Sequence, residues 1–274
     1  MILLVYSGRD IAGVNIAENV LGLYPFTKTA QTYQGSPVYS AEISGKIVDF
    51  ITLKEESVHA QYLQQDFSGA ELIVFLSRHS SRSGTPTLSV HTPGNFAEAG
   101  LGGLSRVVSV SPASAMRDAL KALEQYKQEL HLDYEVSFEC THHGPSLNLP
   151  TMFVELGSSE PQWRDTTAAQ AVAHAAMAAI DNFSNPSDTA ALGIGGTHYN
   201  QKFTRMALTG EAVFGHMIPK YAVSTVDSEM IKQCVNRTLE KATLALLDWK
   251  GIKSEDKPKL LAALQDAGLP TKKV

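Results

Sequence analysis

Cysteine is scarce in this chain, which has only Cys140 and Cys234 among its 274 residues. Two cysteines so far apart in sequence can build neither a disulfide framework nor a cysteine-rich zinc site. Long hydrophobic runs are also missing, because no apolar stretch approaches the roughly 20 residues needed to cross a bilayer. The apolar run that starts at Ile2 is too short for the core of a signal peptide. We therefore expect a soluble protein of the reducing cytoplasm that makes no membrane contact.

The chain has no excess of basic residues, since its net charge is −5 and its isoelectric point is near 6.0. A protein that adheres to polyanions in general needs a broad basic surface, so that class is excluded. A small basic patch is still compatible with this composition. The candidates for such a patch are Arg78, Arg82, Lys202, Arg205 and Lys220.

Three common catalytic motifs, HExxH, GxSxG and the Walker pattern, are absent from the sequence. Nucleotide hydrolysis by a P-loop is thereby excluded, and a serine nucleophile has no support. Any catalytic chemistry must come from side chains outside these motifs.

The apolar fraction of 43% is sufficient for the core of one α/β domain over residues 1–274, with room for a small lobe whose bounds the sequence does not define. The apolar runs Ile2–Tyr6 and Leu72–Leu76 predict strands that are buried on both faces, as in parallel sheets. Val38–Ile43 and Lys46–Leu53, which flank a Ser-Gly turn, predict a hairpin. These patterns together predict a mixed, largely parallel sheet flanked by helices.

Three helices are predicted from their end signals. Ser111 is expected to cap a helix that has Pro112 at its first position. Asp165 is expected to cap an alanine-rich helix over Thr166–Phe183, and a longer helix is predicted from about Asp227 to Trp249. A helix followed by a strand is the order that parallel sheets need.

Two adjacent histidines, His142 and His143, follow a predicted strand. Apolar and polar residues alternate from Tyr134 to Cys140, which is the period of a half-buried strand. Gly144-Pro145 then breaks regular structure, so both imidazoles enter a loop at a strand end, where α/β enzymes keep their chemistry. The alternative is one packed and one solvated histidine. Consecutive side chains normally point to opposite sides, so both can face one ligand only if Gly144 redirects the chain, and we expect the two to have different roles.

Six of the nine histidines stand near glycine, proline or serine in the sequence, which predicts that they lie in loops. Because a sheet brings strand ends together, we expect these six to form one site. Imidazole suits hydrolysis, since its neutral form accepts a proton from water near pH 7 and its cation can hold an oxyanion. The six are His79, His91, His142, His143, His198 and His216, of which His79, His142, His143 and His198 are the predicted catalytic residues. The sequence around the other three, His59, His131 and His174, gives no indication of a functional site.

A glutamate inside an apolar strand, Glu155, is unusual. Burying a carboxylate costs several kcal/mol unless it is paired or bound to a cation, although a glutamate on an exposed edge strand needs no partner. Two or three imidazoles together with Glu155 or Glu160 have the right chemistry to hold zinc. The candidate zinc ligands are His91, His142, Glu155, Glu160 and His216.

Gly195-Gly196 follows the predicted strand Ala190–Ile194 and permits the close approach of a ligand or of a neighbouring backbone. Side-chain donors stand beside these glycines, so phosphate or carboxylate binding is predicted there. A second glycine-rich segment, 100–103, is either a mobile binding loop or a plain surface loop. The candidate substrate-binding residues are Arg78, Asn95, Gly195, Gly196, Thr197, Lys202, Arg205 and Lys220.

Six short segments, spread through most of the chain, resemble those of a known family. They are Ser77-Arg78-His79, His91-Thr92-Pro93-Gly94-Asn95, Thr141 to Ser146, Glu155 to Glu160, Gly195 to Tyr199 and Phe214 to Tyr221. In this order they are similar to the archaeal and plant type of D-aminoacyl-tRNA deacylase. The resemblance implies a phosphorylase- or hydrolase-type α/β fold and an association with zinc. It also implies hydrolysis of the ester that joins a D-amino acid to the terminal adenosine of tRNA, as proofreading, by a monomer or small homo-oligomer.

Two other classes of protein use the same residue types. A zinc aminopeptidase or amidohydrolase has similar ligands and acts on peptides in the absence of RNA. A non-catalytic module that binds RNA ends or nucleotides would use Lys202, Arg205 and Lys220 and would turn nothing over. Incubation with D- and L-aminoacyl-tRNA, with and without a chelator, separates the three classes.

Overall fold

The strands of the computed structural model, which describes residues 1–183 and 189–274, form two sheets. The strands of the larger sheet are β1 (Ile2–Ser7), β2 (Thr27–Tyr33), β3 (Ser36–Ile43), β4 (Lys46–Leu53), β5 (Leu72–Arg78), β6 (Thr87–His91), β7 (Glu135–Phe138) and β8 (Thr151–Gly157). Those of the smaller sheet are β9 (Thr189–Ile194), β10 (Phe214–Ile218), β11 (Lys241–Leu247) and β12 (Thr271–Lys273). Their spatial orders are β2-β3-β4-β1-β5-β8-β6-β7 and β10-β9-β11-β12.

The larger sheet is mixed and the smaller one is parallel throughout. Strand β1 pairs in parallel with β4 and β5, β5 with β8, and β6 with β7. Strand β3 is antiparallel to β2 and β4, and β6 is antiparallel to β8. The predicted α/β class is therefore confirmed, and so is the predicted hairpin between β3 and β4.

Helices flank the sheets. They are α1 (Ile11–Leu23), α2 (Leu63–Asp66), α3 (Ala113–Glu129), α4 (Glu160–Trp163), α5 (Thr166–Asp181), α6 (Gln201–Leu208), α7 (Ser228–Asn236) and α8 (Lys257–Asp266). Helix α5 packs against both α1 and α3. Within the described ranges, no helix is long and apolar enough to cross a membrane.

The two faces of the larger sheet have different surroundings. Because side chains alternate along a strand, Leu4 and Val154 belong to the core shared with α1, α3 and α5, while Val5, Phe75 and Phe153 belong to a second core on the opposite face. Phe75 and Phe153 stack with their ring centroids 4.5 Å apart. Two residues further along each strand, this second face ends in polar residues, and the histidines gather there.

Two predictions about helix ends are wrong. The expected long helix stops at Asn236, and the following residues form β11, which pairs with β9 in the smaller sheet. Ser111 does not cap α3, because the carboxylate of Glu240 accepts hydrogen bonds from the backbone N–H groups of Ala113 and Ser114. Asp165 caps α5 as expected, by accepting from the N–H of Ala168. The single domain with a small lobe stays a prediction.

Candidate active site

Glu139 lies at the centre of the histidine cluster. It follows the end of β7 and its side chain is fully buried. Its Oε1 accepts a hydrogen bond from the Ser89 hydroxyl at 2.6 Å and lies 3.1 Å from Nδ1 of His79. Its Oε2 lies 2.9 Å from Nε2 of His198 and 3.7 Å from Nε2 of His142. One carboxylate thus contacts three imidazoles.

Glu155 is the second buried carboxylate of the cluster and comes from the middle of β8. Its Oε2 lies 3.7 Å from Nδ1 of His79 and 3.6 Å from Nε2 of His91. Of the two alternatives left open for Glu155, the structure shows the buried glutamate with histidine partners rather than an exposed one on an edge strand. On its far side, His79 contacts the hydroxyl of Tyr199 through Nε2 at 2.8 Å.

His142 and His143 both face the cluster, although they are consecutive. The backbone of His143 has a positive φ of 42°, and this left-handed turn brings the second imidazole round to the side of the first. Nδ1 of His142 contacts the carbonyl oxygen of Cys140 at 2.9 Å, and Nδ1 of His143 contacts that of Gly144 at 2.7 Å. Since a carbonyl can only accept, both Nδ1 atoms carry the hydrogen and both Nε2 atoms keep a lone pair.

His91 is fully buried, and neither of its ring nitrogens has a hydrogen-bond partner among the described residues. Its ring stacks on Phe153, with centroids 5.0 Å apart, and lies 4.3 Å from the ring of His142. A buried polar atom without a partner calls for an explanation, such as an ion or a water molecule. One nitrogen from each of His91, His142 and His143 lies within 4.8 Å of the other two, a spacing at which all three could bind one metal ion.

Electrostatics divide the cluster into charged and neutral members. Burial would lower the pKa of His79, but Glu139 and Glu155 outweigh that effect and raise this pKa to about 11. The same balance raises the pKa of His91. Burial would raise the pKa values of the two glutamates, but contacts with the histidines hold both below their usual range. These four residues therefore form a charged buried network.

His142 and His143 are neutral by contrast. Burial lowers the pKa of His142 well below its usual value, and the neighbouring histidines His143 and His91 lower it further. Burial and His91 likewise lower the pKa of His143 to about 4. Near neutral pH, both rings can accept a proton or bind a metal.

A cavity of about 420 Å³ gives access to this cluster. One wall consists of Glu56 to His59, so His59 lies at the site although its sequence surroundings are ordinary. The other walls include Arg78, Leu101 and Tyr199. We refer to this space as the Glu139 cavity. Six of the site residues predicted from the sequence line this cavity: Arg78, His79, His142, His143, Glu155 and His198.

The predicted site residues Glu160 and His216 lie apart from the histidine cluster. Glu160 is exposed on α4 and pairs with Arg164 at 2.8 Å. His216 is fully buried, and its Nε2 lies 3.1 Å from the carbonyl oxygens of both Ser109 and Arg237. Because these carbonyls can only accept, Nε2 of His216 carries a hydrogen and is not available to a metal.

Several predicted substrate-binding residues have internal partners instead. Lys202 binds Asp248 and lies 3.0 Å from a main-chain oxygen of Val274. The amide of Asn95 donates to the carbonyl oxygen of Gly102 at 3.0 Å and so holds the glycine-rich segment. A Cβ at Gly102 would lie 2.0 Å from the carbonyl oxygen of Val58 and one at Gly103 2.8 Å from the Ser146 hydroxyl, so these two glycines are closely packed, whereas Gly100 is open.

The glycines after β9 allow the close approach of other parts of the protein, both backbone and side chain. A Cβ at Gly195 would lie 2.9 Å from the carbonyl oxygen of Asp248, and one at Gly196 would lie 2.7 Å from the amide of Asn200. Both glycines have positive φ. Three further predicted substrate-binding residues are exposed: Thr197, Arg205 and Lys220.

The histidines come together for a different reason from the one predicted. Strand β6 is antiparallel to β5 and β8, so its end at His91 pairs with Phe153, whereas β5 ends beside Leu156. Strand ends alone would therefore separate His91 from His79. The side chain of Glu155 lies between His91 and His79 and contacts both histidines. Sequence reasoning missed Glu139, whose signal was its place just before the histidine pair.

Comparisons with known proteins agree on one family. A family model described as D-aminoacyl-tRNA deacylase matches residues 67–272. The D-aminoacyl-tRNA deacylase of Pyrococcus abyssi is 35% identical, with 95% of each chain covered, and that of Korarchaeum cryptofilum is 35% identical, with 97% of this chain and 90% of the relative covered. A crystal structure of a conserved protein of unknown function has a TM-score of 0.88 and 31% identity, covering 100% of this chain and 95% of that one. This chain belongs to the D-aminoacyl-tRNA deacylase family.

Proposed function

We propose that the Glu139 cavity is where this chain hydrolyses the ester of D-aminoacyl-tRNA, releasing free D-amino acid and tRNA. The observation that carries the proposal is a division within the cluster: His142 and His143 donate from Nδ1 to carbonyl oxygens and keep Nε2 as an acceptor, whereas His79 lies between two buried glutamates and contacts Tyr199. Ester hydrolysis needs a proton acceptor for water and donors for the oxyanion, and this division supplies both.

The residues can be given roles in the hydrolysis. Nε2 of His142 or His143 takes a proton from the attacking water, whose oxygen forms a bond to the ester carbonyl carbon. Tyr199, in contact with the protonated His79, donates to the oxyanion that develops. The bond to the ribose oxygen then breaks, and that oxygen receives the proton held by the imidazole. His198 is oriented by Glu139 and by the hydroxyl of Tyr221 at 3.1 Å.

Single-turnover deacylation tests this assignment. We expect His142→Gln and His143→Gln to melt close to the wild type, and at least one to lose about 10²- to 10⁴-fold in rate, as is typical for a positioned acid or base. The control is His131→Asn, which replaces an exposed histidine. Native rates in both variants, or equal rates on D- and L-aminoacyl-tRNA, would contradict the proposal. Hydrolysis of peptides in place of aminoacyl-tRNA would favour the aminopeptidase alternative. Tight binding of RNA without turnover would favour the non-catalytic binding module.

As the alternative to metal-free catalysis by His142 or His143, we propose that zinc binds here, where His91, His142 and His143 would hold it and neither of the last two rings would be free to take the proton. Neither ring nitrogen of His91 forms a hydrogen bond with the described residues, although Nε2 lies 3.6 Å from Glu155, and this supports the proposal. The Nδ1 contacts of the other two support it as well, since metal-binding imidazoles usually donate their other N–H to a carbonyl. Glu139, His142 and His198 form a second group with compatible spacing. When bound, zinc lowers the pKa of water and polarises a carbonyl. Because ligands bind without their protons, His91 would have to release its proton first.

Elemental analysis tests the zinc proposal independently of activity. Protein purified without added metal should contain zinc, and His91→Ala should lose most of it, whereas His131→Asn should retain it. Metal binding should weaken as the pH falls, because protons compete for the imidazoles. Zinc-free protein with full activity in chelator would contradict the zinc proposal.

We further propose that the reaction takes place in the cytoplasm and that the protein is a monomer or a small homo-oligomer. Light scattering measures the oligomeric state.

A further inference from the structure

A second cavity, of about 430 Å³, adjoins the Glu139 cavity and has no part in the chemistry described so far. Two exposed cations, Arg9 and Arg164, and the partly buried ring of Trp163 line it. Asn15 and Thr166 add uncharged polar groups to its wall. We call this space the Trp163 groove.

The groove is joined to the Glu139 cavity through direct contacts. The indole N–H of Trp163 donates to the carbonyl oxygen of His79 at 2.8 Å. The guanidinium carbon of Arg78 lies 5.7 Å from the centroid of the Trp163 ring. His79 and Arg78 both line the Glu139 cavity, so the residues that separate the two spaces are in direct contact with Trp163.

Three acidic residues lie at the groove, since Asp10 and Glu18 line it and Glu160 pairs with Arg164. Glu18 is exposed and, in the described part of the chain, forms no ion pair with Arg9 or Arg164. Asp10 is buried and accepts hydrogen bonds from the N–H groups of Ala12, Gly13 and Arg78. Glu160 pairs with Arg164, but both side chains are more than half exposed, and such a pair contributes little. A phosphate can therefore replace Glu160 as the partner of Arg164.

We propose that the Trp163 groove binds the single-stranded nucleotides that precede the terminal adenosine of the tRNA, while the aminoacyl-adenosine lies in the Glu139 cavity. A base stacks on Trp163, and Arg9 and Arg164 hold phosphates. Aromatic rings combined with a basic groove are the usual means of binding single strands. The proposal rests on the proposed location of hydrolysis in the Glu139 cavity.

Substrates of two lengths test the proposal. D-aminoacyl-tRNA reaches the groove, whereas D-aminoacyl-adenosine ends inside the catalytic cavity. We expect the double variant Arg9→Gln/Arg164→Gln to raise KM for the tRNA substrate about tenfold, with little change in kcat, because it removes two phosphate contacts. Its kinetics on the adenosine substrate should equal those of the wild type. Lys232→Gln, which breaks an exposed pair with Asp266, is the matched control and should alter neither.

Salt dependence gives a second readout. Each phosphate contact to a single strand contributes a slope of about −0.7 in log K against log salt, so the double variant should have a slope shallower by about 1.4. An unchanged KM and slope would overturn the proposal. An equal loss on both substrates would also overturn it, because the effect would then come from the catalytic cavity.

Fluorescence tests the stacking without any turnover. The chain has two tryptophans, so Trp249→Phe leaves Trp163 as the only reporter. Single-stranded RNA that ends in CCA and carries no amino acid should quench the emission of Trp163. The Arg9→Gln/Arg164→Gln variant should need a higher RNA concentration for half of the quenching. Absence of quenching would refute the stacking. Since this assay needs no ester, its failure is distinct from a failure of the proposed hydrolysis.

Discussion

At the scale of single residues, the site depends on two carboxylates that the fold buries and the histidines neutralise. A buried ion is stable only when its partners satisfy its oxygens. Glu139 meets that condition with Ser89, His79 and His198, and Glu155 lies between His79 and His91. The two glutamates therefore set both the positions and the charges of the imidazoles around them.

This arrangement predicts a large effect of Glu139→Gln, which keeps the shape and removes the charge. We expect a loss of about 3 to 5 kcal/mol in the free energy of unfolding, because His79 would stay buried without its main counterion. The rate per folded molecule should fall about 10- to 100-fold, as is typical when a group that orients a catalytic histidine is changed. Denaturant unfolding and single-turnover deacylation measure the two effects.

The matched control for this variant is Glu160→Gln, since Glu160 is exposed and its carboxylate has Arg164 as its one partner among the described residues. It should change stability by less than about 0.5 kcal/mol. Ser89→Ala removes one hydrogen bond from Glu139 and should give a smaller loss of the same kind. A Glu139→Gln protein as stable and active as the Glu160→Gln protein would show that the buried charge has no role.

At the scale of elements, the beginning of α3 depends on a residue far along the chain. The Glu240 carboxylate accepts from the N–H groups of Ala113 and Ser114, at 2.9 and 2.7 Å. Glu240 precedes β11, so this contact links a helix that packs on the larger sheet to the smaller sheet. Among the described residues, the hydroxyl of Ser111 has no hydrogen-bond partner.

We therefore expect Glu240→Ala to destabilise the protein by about 1 to 2 kcal/mol, because it leaves two N–H groups at a helix start without an acceptor. Ser111→Ala should cost less than about 0.5 kcal/mol, since it removes a hydroxyl that bonds to nothing. Thermal and urea unfolding of both variants measure the difference. Equal losses would contradict the assignment of the cap to Glu240.

At the scale of the whole molecule, His216 ties β10 of the smaller sheet to segments beside the larger one. It contacts the carbonyl oxygens of Ser109 and Arg237 and the hydroxyl of Thr141, which lies next to the histidine pair. Burial lowers its pKa from 6.5 to about 4, so it is neutral in the folded protein. Its protonation would put a positive charge into a fully buried place where the two sheets meet.

This pKa predicts how stability changes with pH. The unfolded chain takes up a proton on this histidine below pH 6.5 and the folded protein does so only near pH 4, so its stabilising contribution is complete above 6.5 and is lost as the pH falls to about 4. The full loss is about 3 kcal/mol, of which about 2 kcal/mol occurs by pH 5. His216→Gln should be less stable at pH 7 and should lose less stability between pH 7 and 5.

Urea unfolding at several pH values measures this slope. The comparison with the wild type cancels the contributions of the other titrating groups, and His131→Asn controls for the loss of a histidine as such. The same pH dependence in His216→Gln and in the wild type would contradict a neutral, buried His216.

The sequence by itself was sufficient for the α/β class, the β3–β4 hairpin, the cap of α5 and the family. These features depend on local patterns or on short motifs, because alternation, turn residues and caps act over a few residues. For Glu155 the sequence provided only a condition, that a partner is needed if the residue is buried, since burying a charge is costly.

Tertiary structure alone decided which residues share the site. The polar position of Glu139 in an alternating strand predicted exposure, but two sheets meet there and bury it. His216 and His91 have similar sequence surroundings. Nε2 of His216 nevertheless donates to carbonyl oxygens, whereas neither ring nitrogen of His91 forms a hydrogen bond with the described residues. Hydrogen-bond partners that come from distant segments cannot be read from local patterns, because sequence spacing does not determine which backbone atoms meet across two sheets.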